Sequence, residues 1–371
     1  MRVVVIGGWA PSLVRFRGPL LAAMVARGHD VIAMAADGSD VVTRQLAELG
    51  VRFEPIALAR TGIDPIEDTR AFAALVRTLR AHRPDLVFGY TIKPIVYGSL
   101  AASVAGVPWR AAMITGLGYA LATPRTAKQR AVAVVARSLY RAALARCQAV
   151  FVQNADDLAE LRARHVLAST APVTMVRGSG VDLEHYAKAP LPDGDPTFLF
   201  LGRLLHDKGI GEYVAAAARV RERHPQARFR VVGWLDSNPE CVRRDELDRW
   251  CAAGLIDYRG PTEDVRPHLR DAHVVVLPSY REGTPRSVLE AMSTGRAVIT
   301  TDAPGCRDTI VDGVSGLLVP VRDPGALARA ALRLVESRAL VERLAAGARA
   351  RVESLYDARQ VASQMLETMG L

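Results

Sequence analysis

The chain has 371 residues and a formal net charge of +9; half its residues are hydrophobic and 23% are charged. That length suggests two domains, each able to bury a core without disulfides or metal. The composition excludes disordered, collagen-like and low-complexity chains, while the basic balance admits nucleic acid, an anionic membrane surface or phosphorylated ligands.

Met1 and Arg2 lead straight into an apolar run ending at Gly7–Gly8, which reads as a strand and not as a signal peptide. Further strands are predicted at 30–36, 52–58, 85–91, 110–116, 149–154 and 173–177. Helical patterns lie between them, among them 65–82 and 126–146. Residues 187–196 hold three prolines and no periodicity, and read as a linker. Strands resume at 197–203, 228–233, 256–260, 273–279, 297–302 and 316–320. From about 324 the pattern is helical, and the last helix, 358–369, is expected to cross back to the first domain.

Apolar strands alternating with helices mean parallel sheets covered on both faces. The expected organisation is α/β, with a doubly wound domain over 1–188, a second over 189–355, and a C-terminal helix within 356–371. Residues 94–124 carry one charge, Arg110, but their prolines and glycines argue against a transmembrane helix. Cys147, Cys241, Cys251 and Cys306 form no C-x-x-C pair and no zinc spacing, and read as thiols in a reducing compartment.

The charge is uneven. Residues 1–188 hold 23 Lys+Arg and 14 Asp+Glu, whereas the remainder holds 25 of each. Between Asp85 and Asp156 there is no acidic residue, but there are eight basic ones. Arg130, Arg137 and Arg141 gather on one face of the helix there, with Val134, Val135, Leu139 and Tyr140 elsewhere. A basic amphipathic helix can lie on anionic lipid; an ordinary half-buried helix would also be basic outside.

In open parallel sheets, ligands bind beyond the carboxyl ends of strands. Small or charged residues stand at five such places: Gly7–Gly8, Thr91–Lys93, Thr115–Gly116, Gly202–Gly209 and Ser279–Pro285. Arg203 and Lys208 flank a tight turn before a helix that starts near Gly209. Two fixed cations and a helix N-terminus suit a diphosphate. Glu282 precedes a helix with Thr284 as expected N-cap and Pro285 at its first position, and Glu290 lies eight residues further on. The Gly283 and Thr284 amides could face phosphate, while the two carboxylates accept bonds from sugar hydroxyls.

Together, E-x7-E at Glu282…Glu290, G-R-L-x-x-x-K-G at 202–209 and R-G-S-G-V-D-L at 177–183 resemble glycosyltransferase family 4 over essentially the whole chain. That resemblance implies the GT-B fold: two facing Rossmann-like domains with a cleft between them. Y-T-I-K-P-I-V-Y-G-S (90–99), T-G-L-G-Y (115–119) and T-D-A-P-G-C-R (301–307) resemble the bacterial subgroup that extends polyprenyl-diphosphate-linked sugars. The implied reaction is retaining and metal-independent, with no cofactor. It moves an N-acetylhexosamine, N-acetylgalactosamine foremost, from a UDP-sugar in glycan assembly.

By the same resemblance, Arg203 and Lys208 bind the donor diphosphate, Glu290 holds the ribose and Glu282 contacts the donor sugar. Arg203, Lys208 and Glu282 thus form the expected catalytic set, with Gly7, Gly8, Gly283 and Thr284 completing the donor site. Arg17, Lys93, Thr115 and Gly116 are the acceptor-side candidates. Many family members carry a histidine after the fourth strand, where this chain has Thr91-Ile92-Lys93. The expected location is cytoplasmic, on the inner face of the membrane, with the basic N-terminal domain meeting anionic lipid. Asp193-Gly194-Asp195 mimics a metal-binding D-x-D, but it precedes a strand and reads as a turn.

Two other functions compete. A UDP-sugar 2-epimerase of similar fold needs carboxylates and histidine in the site, and the eight histidines do not cluster at strand ends. A nucleic-acid-binding protein is suggested by charge alone; 6% aromatic residues and the lack of a recognition motif argue against nucleic acid as a partner.

Overall fold

Short runs of valine, isoleucine and phenylalanine form the strands, because branched and aromatic side chains pack well on a pleated surface buried on both faces. The computed structural model describes residues 1–58, 64–117, 127–236, 238 and 240–371. They divide into two units: residues 1–179 with 358–371, and residues 180–357.

The first unit holds β1 (Arg2–Ile6), β2 (Asp30–Ala35), β3 (Arg52–Pro55), β4 (Leu86–Tyr90), β5 (Trp109–Ile114), β6 (Ala149–Val152) and β7 (Val173–Met175). Its helices are α1 (Pro11–Ala26), α2 (Asp40–Glu48), α3 (Pro65–His82), α4 (Ser99–Ala105), α5 (Ala127–Leu144) and α6 (Ala155–Ala163). The second unit holds β8 (Thr197–Leu201), β9 (Arg228–Val232), β10 (Asp257–Tyr258), β11 (Val274–Leu277), β12 (Ala297–Thr301) and β13 (Leu317–Val319). Its helices are α7 (Ile210–Arg223), α8 (Arg244–Ala252), α9 (Arg266–Arg270), α10 (Arg286–Thr294), α11 (Pro324–Glu336) and α12 (Arg338–Leu355); α13 (Ala358–Met369) belongs to the first unit.

The sheet orders are β3-β2-β1-β4-β5-β6-β7 and β10-β9-β8-β11-β12-β13, and every pairing is parallel. Each order reverses direction beside its first strand, at β1/β4 and at β8/β11. That is the topological switch point where ligands bind in such sheets. All thirteen expected strands are present, each a residue or more shorter than its apolar run because the ends open into loops.

The chain passes between units at Ser179/Gly180, ahead of the proline-rich stretch where composition put the boundary. That stretch is anchored in the second unit: the fully buried Arg296 donates to the carbonyls of Ala189 and Pro190, each at 2.7 Å. Burial pushes the Arg296 guanidinium down to about 10. At the other end, Val361, Ala362, Met365 and Leu366 of α13 join the core of the first unit. No helix among the described residues is long and apolar enough to cross a membrane.

Candidate active site

In the second unit, β8 delivers Gly202-Arg203 to the carboxyl edge, and a short 3-10 turn, His206–Lys208, leads through Gly209 into α7. Gly209 has φ +75°, and a Cβ there would lie 2.1 Å from the Pro278 carbonyl oxygen. Only glycine lets this loop approach the end of the adjacent β11 so closely. Three bonds then tie the loops together. The Tyr280 amide donates to the Asp207 carbonyl at 2.9 Å, the Ser279 hydroxyl to the same oxygen at 3.3 Å, and the Tyr280 phenol to Glu212 of α7 at 2.6 Å. Burial, reinforced by the Glu212 carboxylate, pushes the Tyr280 phenol up to about 12, so it stays a donor.

The clamp sets Lys208 against Glu282, with Nζ 2.5 Å from Oε1. Arg203 donates through Nη1 to Asp236 at 3.2 Å. Asp236 follows β9 on a loop strapped to the Arg203 loop: the Leu204 amide donates to Trp234, the His206 amide to Glu240 and the Val242 amide to Leu204. Glu290 sits in the second turn of α10, 9% exposed. Its Oε1 accepts from the Tyr186 phenol at 3.1 Å and from Arg286 Nε and Nη2 at 3.3 and 3.2 Å. The helix starts one residue later than expected, with Pro285 and not Thr284 at the N-cap and no side-chain cap. The Glu282 amide donates to the Pro304 carbonyl at 3.0 Å, which fixes the loop bearing Gly283.

In the first unit, β1, β4 and β5 are neighbours, so Gly7–Gly8, Thr91–Lys93 and Thr115–Gly116 share one carboxyl edge. A Cβ on Gly7 would fall within hard contact of the Tyr90 phenol oxygen, and one on Gly8 would lie 3.0 Å from Thr91 Oγ1. Gly7 is thus packed hard against the Tyr90 side chain of β4, and Gly8 closely against Thr91. Thr91 has φ +67°, a strained backbone for a β-branched residue.

Lys93 donates to Asp68 of α3 at 2.8 Å, so its charge is already countered within the fold. Arg17, expected on the acceptor side, is enclosed by its own unit. It is 3% exposed, its guanidinium lies 4.5 Å over the Tyr90 ring, and Nη1 donates to Ser179 at 2.8 Å. An acceptor would have to break those contacts to reach it. Gly118, Tyr119 and Arg125 lie outside the described residues, as does the Lys128 side chain.

On α5, Tyr140 faces the core, but Val134 and Val135 are 54% and 59% exposed and Leu139 is exposed beside them. Arg130 and Arg141 are exposed along the edge of this apolar strip. The valines were expected as bulk away from the arginines; the fold turns them to solvent because α5 buries Ala133, Tyr140, Ala143 and Leu144 instead. The D-x-D aspartates precede β8, at the sheet edge opposite Arg203. Asp195 accepts from Arg228 at 2.9 Å, and Gly194 has φ +89°, as a turn requires.

Sequence reasoning missed Asp236, Asp68, Tyr186 and Arg286. Arg286 had a signal, since it stands four residues before Glu290 on one helix. Tyr186 had none: its partner is 104 residues away.

The model of a glycosyl transferase 4-like domain matches residues 14–178, and that of glycosyl transferases group 1 matches residues 195–337. The chain belongs to the family 4 glycosyltransferases. This glycosyltransferase is 27% identical to the N,N'-diacetylbacillosaminyl-diphospho-undecaprenol alpha-1,3-N-acetylgalactosaminyltransferase of Campylobacter jejuni, over 99% of this chain and 98% of that one. It is 25% identical to the UDP-Gal:alpha-D-GlcNAc-diphosphoundecaprenol alpha-1,3-galactosyltransferase of Escherichia coli, over 75% of this chain and 73% of that one. Its fold is GT-B. The sucrose-phosphate synthase of Thermosynechococcus elongatus superposes with a TM-score of 0.81 at 21% identity, covering 99% and 98% of the two chains. HepE of Anabaena, solved with UDP and glucose, superposes with a TM-score of 0.78 at 17% identity, covering 100% and 99%.

Proposed function

We propose that this glycosyltransferase moves an N-acetylhexosamine, N-acetylgalactosamine foremost, from a UDP-sugar to a polyprenyl-diphosphate-linked saccharide, with retention and without a metal. The observation that carries the reading is the pairing of Lys208 with Glu282 at 2.5 Å, on the same sheet edge as Arg203. A diphosphate carries more charge than either carboxylate, so a donor entering this edge draws Lys208 from Glu282 and Arg203 from Asp236. Glu282, released from Lys208, can then accept from a hydroxyl of the donor sugar.

As the bond from the anomeric carbon to the leaving oxygen breaks, negative charge grows on the nucleoside diphosphate. Arg203 and Lys208 stabilise it where it develops, the largest single contribution in most such reactions. Two fixed cations thereby supply the charge neutralisation that a metal ion supplies elsewhere. The departing phosphate oxygen takes the proton from the acceptor hydroxyl as that oxygen attacks from the same face, so the anomeric configuration is kept. Lys93, Thr115 and Gly116 form the acceptor edge.

The acceptor class is supported by two relatives whose names specify diphosphoundecaprenol-linked sugars, and the donor by a structural neighbour solved with UDP. A place on the cytoplasmic face of the membrane is supported by the apolar and basic outer face of α5, which suits anionic lipid.

The deciding experiment is transfer by purified enzyme from UDP-N-acetylgalactosamine to an undecaprenyl-diphosphate-linked saccharide. A product with retained anomeric configuration, formed at the same rate in EDTA, is expected. Inversion or a strict metal requirement would overturn the mechanism. Epimerised UDP-sugar formed without acceptor would favour the epimerase.

A further inference from the structure

Glu290 is asymmetrically bonded. Its Oε1 receives every side-chain hydrogen bond that the described residues give the carboxylate, from the Tyr186 phenol and from two nitrogens of Arg286. Its Oε2 has no partner among the described residues. The terminal torsion of a glutamate is broad and two-fold, so a carboxylate with neither oxygen held would present them interchangeably. Here one oxygen is pinned by three hydrogen bonds and the other by none among the described residues.

Both donors are held in place. Tyr186 closes a turn on Asp182, its amide donating to that carbonyl at 3.0 Å. Its own carbonyl accepts from the fully buried Ser293 at 2.7 Å, on the last turn of α10. The phenol ring is thereby fixed over the helix that carries Glu290. Burial, and then the Glu290 charge, raise this phenol above its ordinary range, so it remains protonated and donates.

Arg286 opens α10, where a cation meets the positive end of the helix dipole, the unfavourable end. Its place is explained by its reach to Glu290 one turn on. Val288, Leu289, Ala291 and Met292 are fully buried, which fixes the rotation of α10 and the direction of the Glu290 side chain.

We propose that Tyr186 and Arg286 are positioning residues for ribose recognition: they hold Oε1 of Glu290 and so present Oε2 to the donor's ribose hydroxyls. The inference rests on the reading of Glu290 as the residue that meets the ribose. Neither residue need touch the nucleotide.

The test is calorimetric binding of UDP and of 2',3'-dideoxy-UDP to the full chain, as wild type, Tyr186→Phe, Arg286→Gln and Arg286→Lys. Wild type is expected to prefer UDP. Tyr186→Phe and Arg286→Gln are each expected to weaken UDP by about tenfold, the scale of one hydrogen bond to a charged group, and to leave the dideoxy ligand unchanged. Arg286→Lys is expected to restore part of the preference. Unchanged dideoxy binding also reports that the site is folded.

Equal weakening of both ligands would make the pair merely structural and overturn the inference, as would no weakening of either. A wild type that binds both ligands equally would instead remove ribose from Glu290. A wild type that binds neither would remove the donor reading itself.

Discussion

The two units differ in how their charge is balanced. The second unit is nearly neutral, with 25 basic and 26 acidic residues, and pairs its site charges internally: Lys208 with Glu282, Arg203 with Asp236, Arg286 with Glu290. The first holds 23 basic against 13 acidic residues and has no acid between Asp85 and Asp156. On α5 there, Arg130 and Arg141 stay on the surface, beside valines that the fold leaves in water, although elsewhere in the unit Lys93 is paired with Asp68 and Arg17 is buried. A polar diphosphate is met best by pairs it can exchange, because a preformed pair holds each side chain near where the ligand needs it. A broad anionic surface is met best by unopposed charge over an apolar strip.

Three substitutions sharpen that contrast. The largest effect is expected for Lys208→Ala and Arg203→Ala, each losing two or more orders of magnitude in kcat, since each removes charge stabilisation at the leaving group. Steady-state kinetics with excess donor will show it, and a loss confined to KM would mean ground-state binding alone. Next comes Gly209→Ala. An alanine in the left-handed region costs about 1–2 kcal/mol before its contact with Pro278 is counted. A fall in Tm of several degrees is expected by calorimetry, with activity lost alongside as the Lys208 loop moves from β11.

The smallest effect concerns the other unit. Changing Arg130, Arg137 and Arg141 together to glutamine should weaken binding to anionic liposomes several-fold and flatten its salt dependence. Changing Val134, Val135 and Leu139 to serine should weaken it while keeping the salt dependence. Both sets should leave UDP affinity unchanged; flotation assays that find lipid binding intact in both would remove α5 from the membrane.

Much of the fold was legible because its signal is local. Each strand is a run of branched apolar residues, and each break carries glycine, proline or a capping residue, as Asp64 caps α3 and Asn154 caps α6. The donor motif was legible for the same reason: Glu282 and Glu290, like Arg203 and Lys208, lie within one loop-and-helix segment. Partners distant in sequence were not. Lys93 and Arg17 read only as acceptor-side candidates: that α3 brings Asp68 to Lys93 across 25 residues, and that Tyr90 and Ser179 enclose Arg17, was not visible.

Residue order along the chain therefore decides which elements form and which loops carry chemistry, since those depend on neighbours a few residues apart. The helical period of α5 was equally plain, yet its orientation was not. Periodicity gives a helix its faces, and only packing chooses which of them is buried. The same holds for the charges: the chain dictates how many there are, but their pairing depends on strand order, which brings the ends of β8, β9 and β11 side by side.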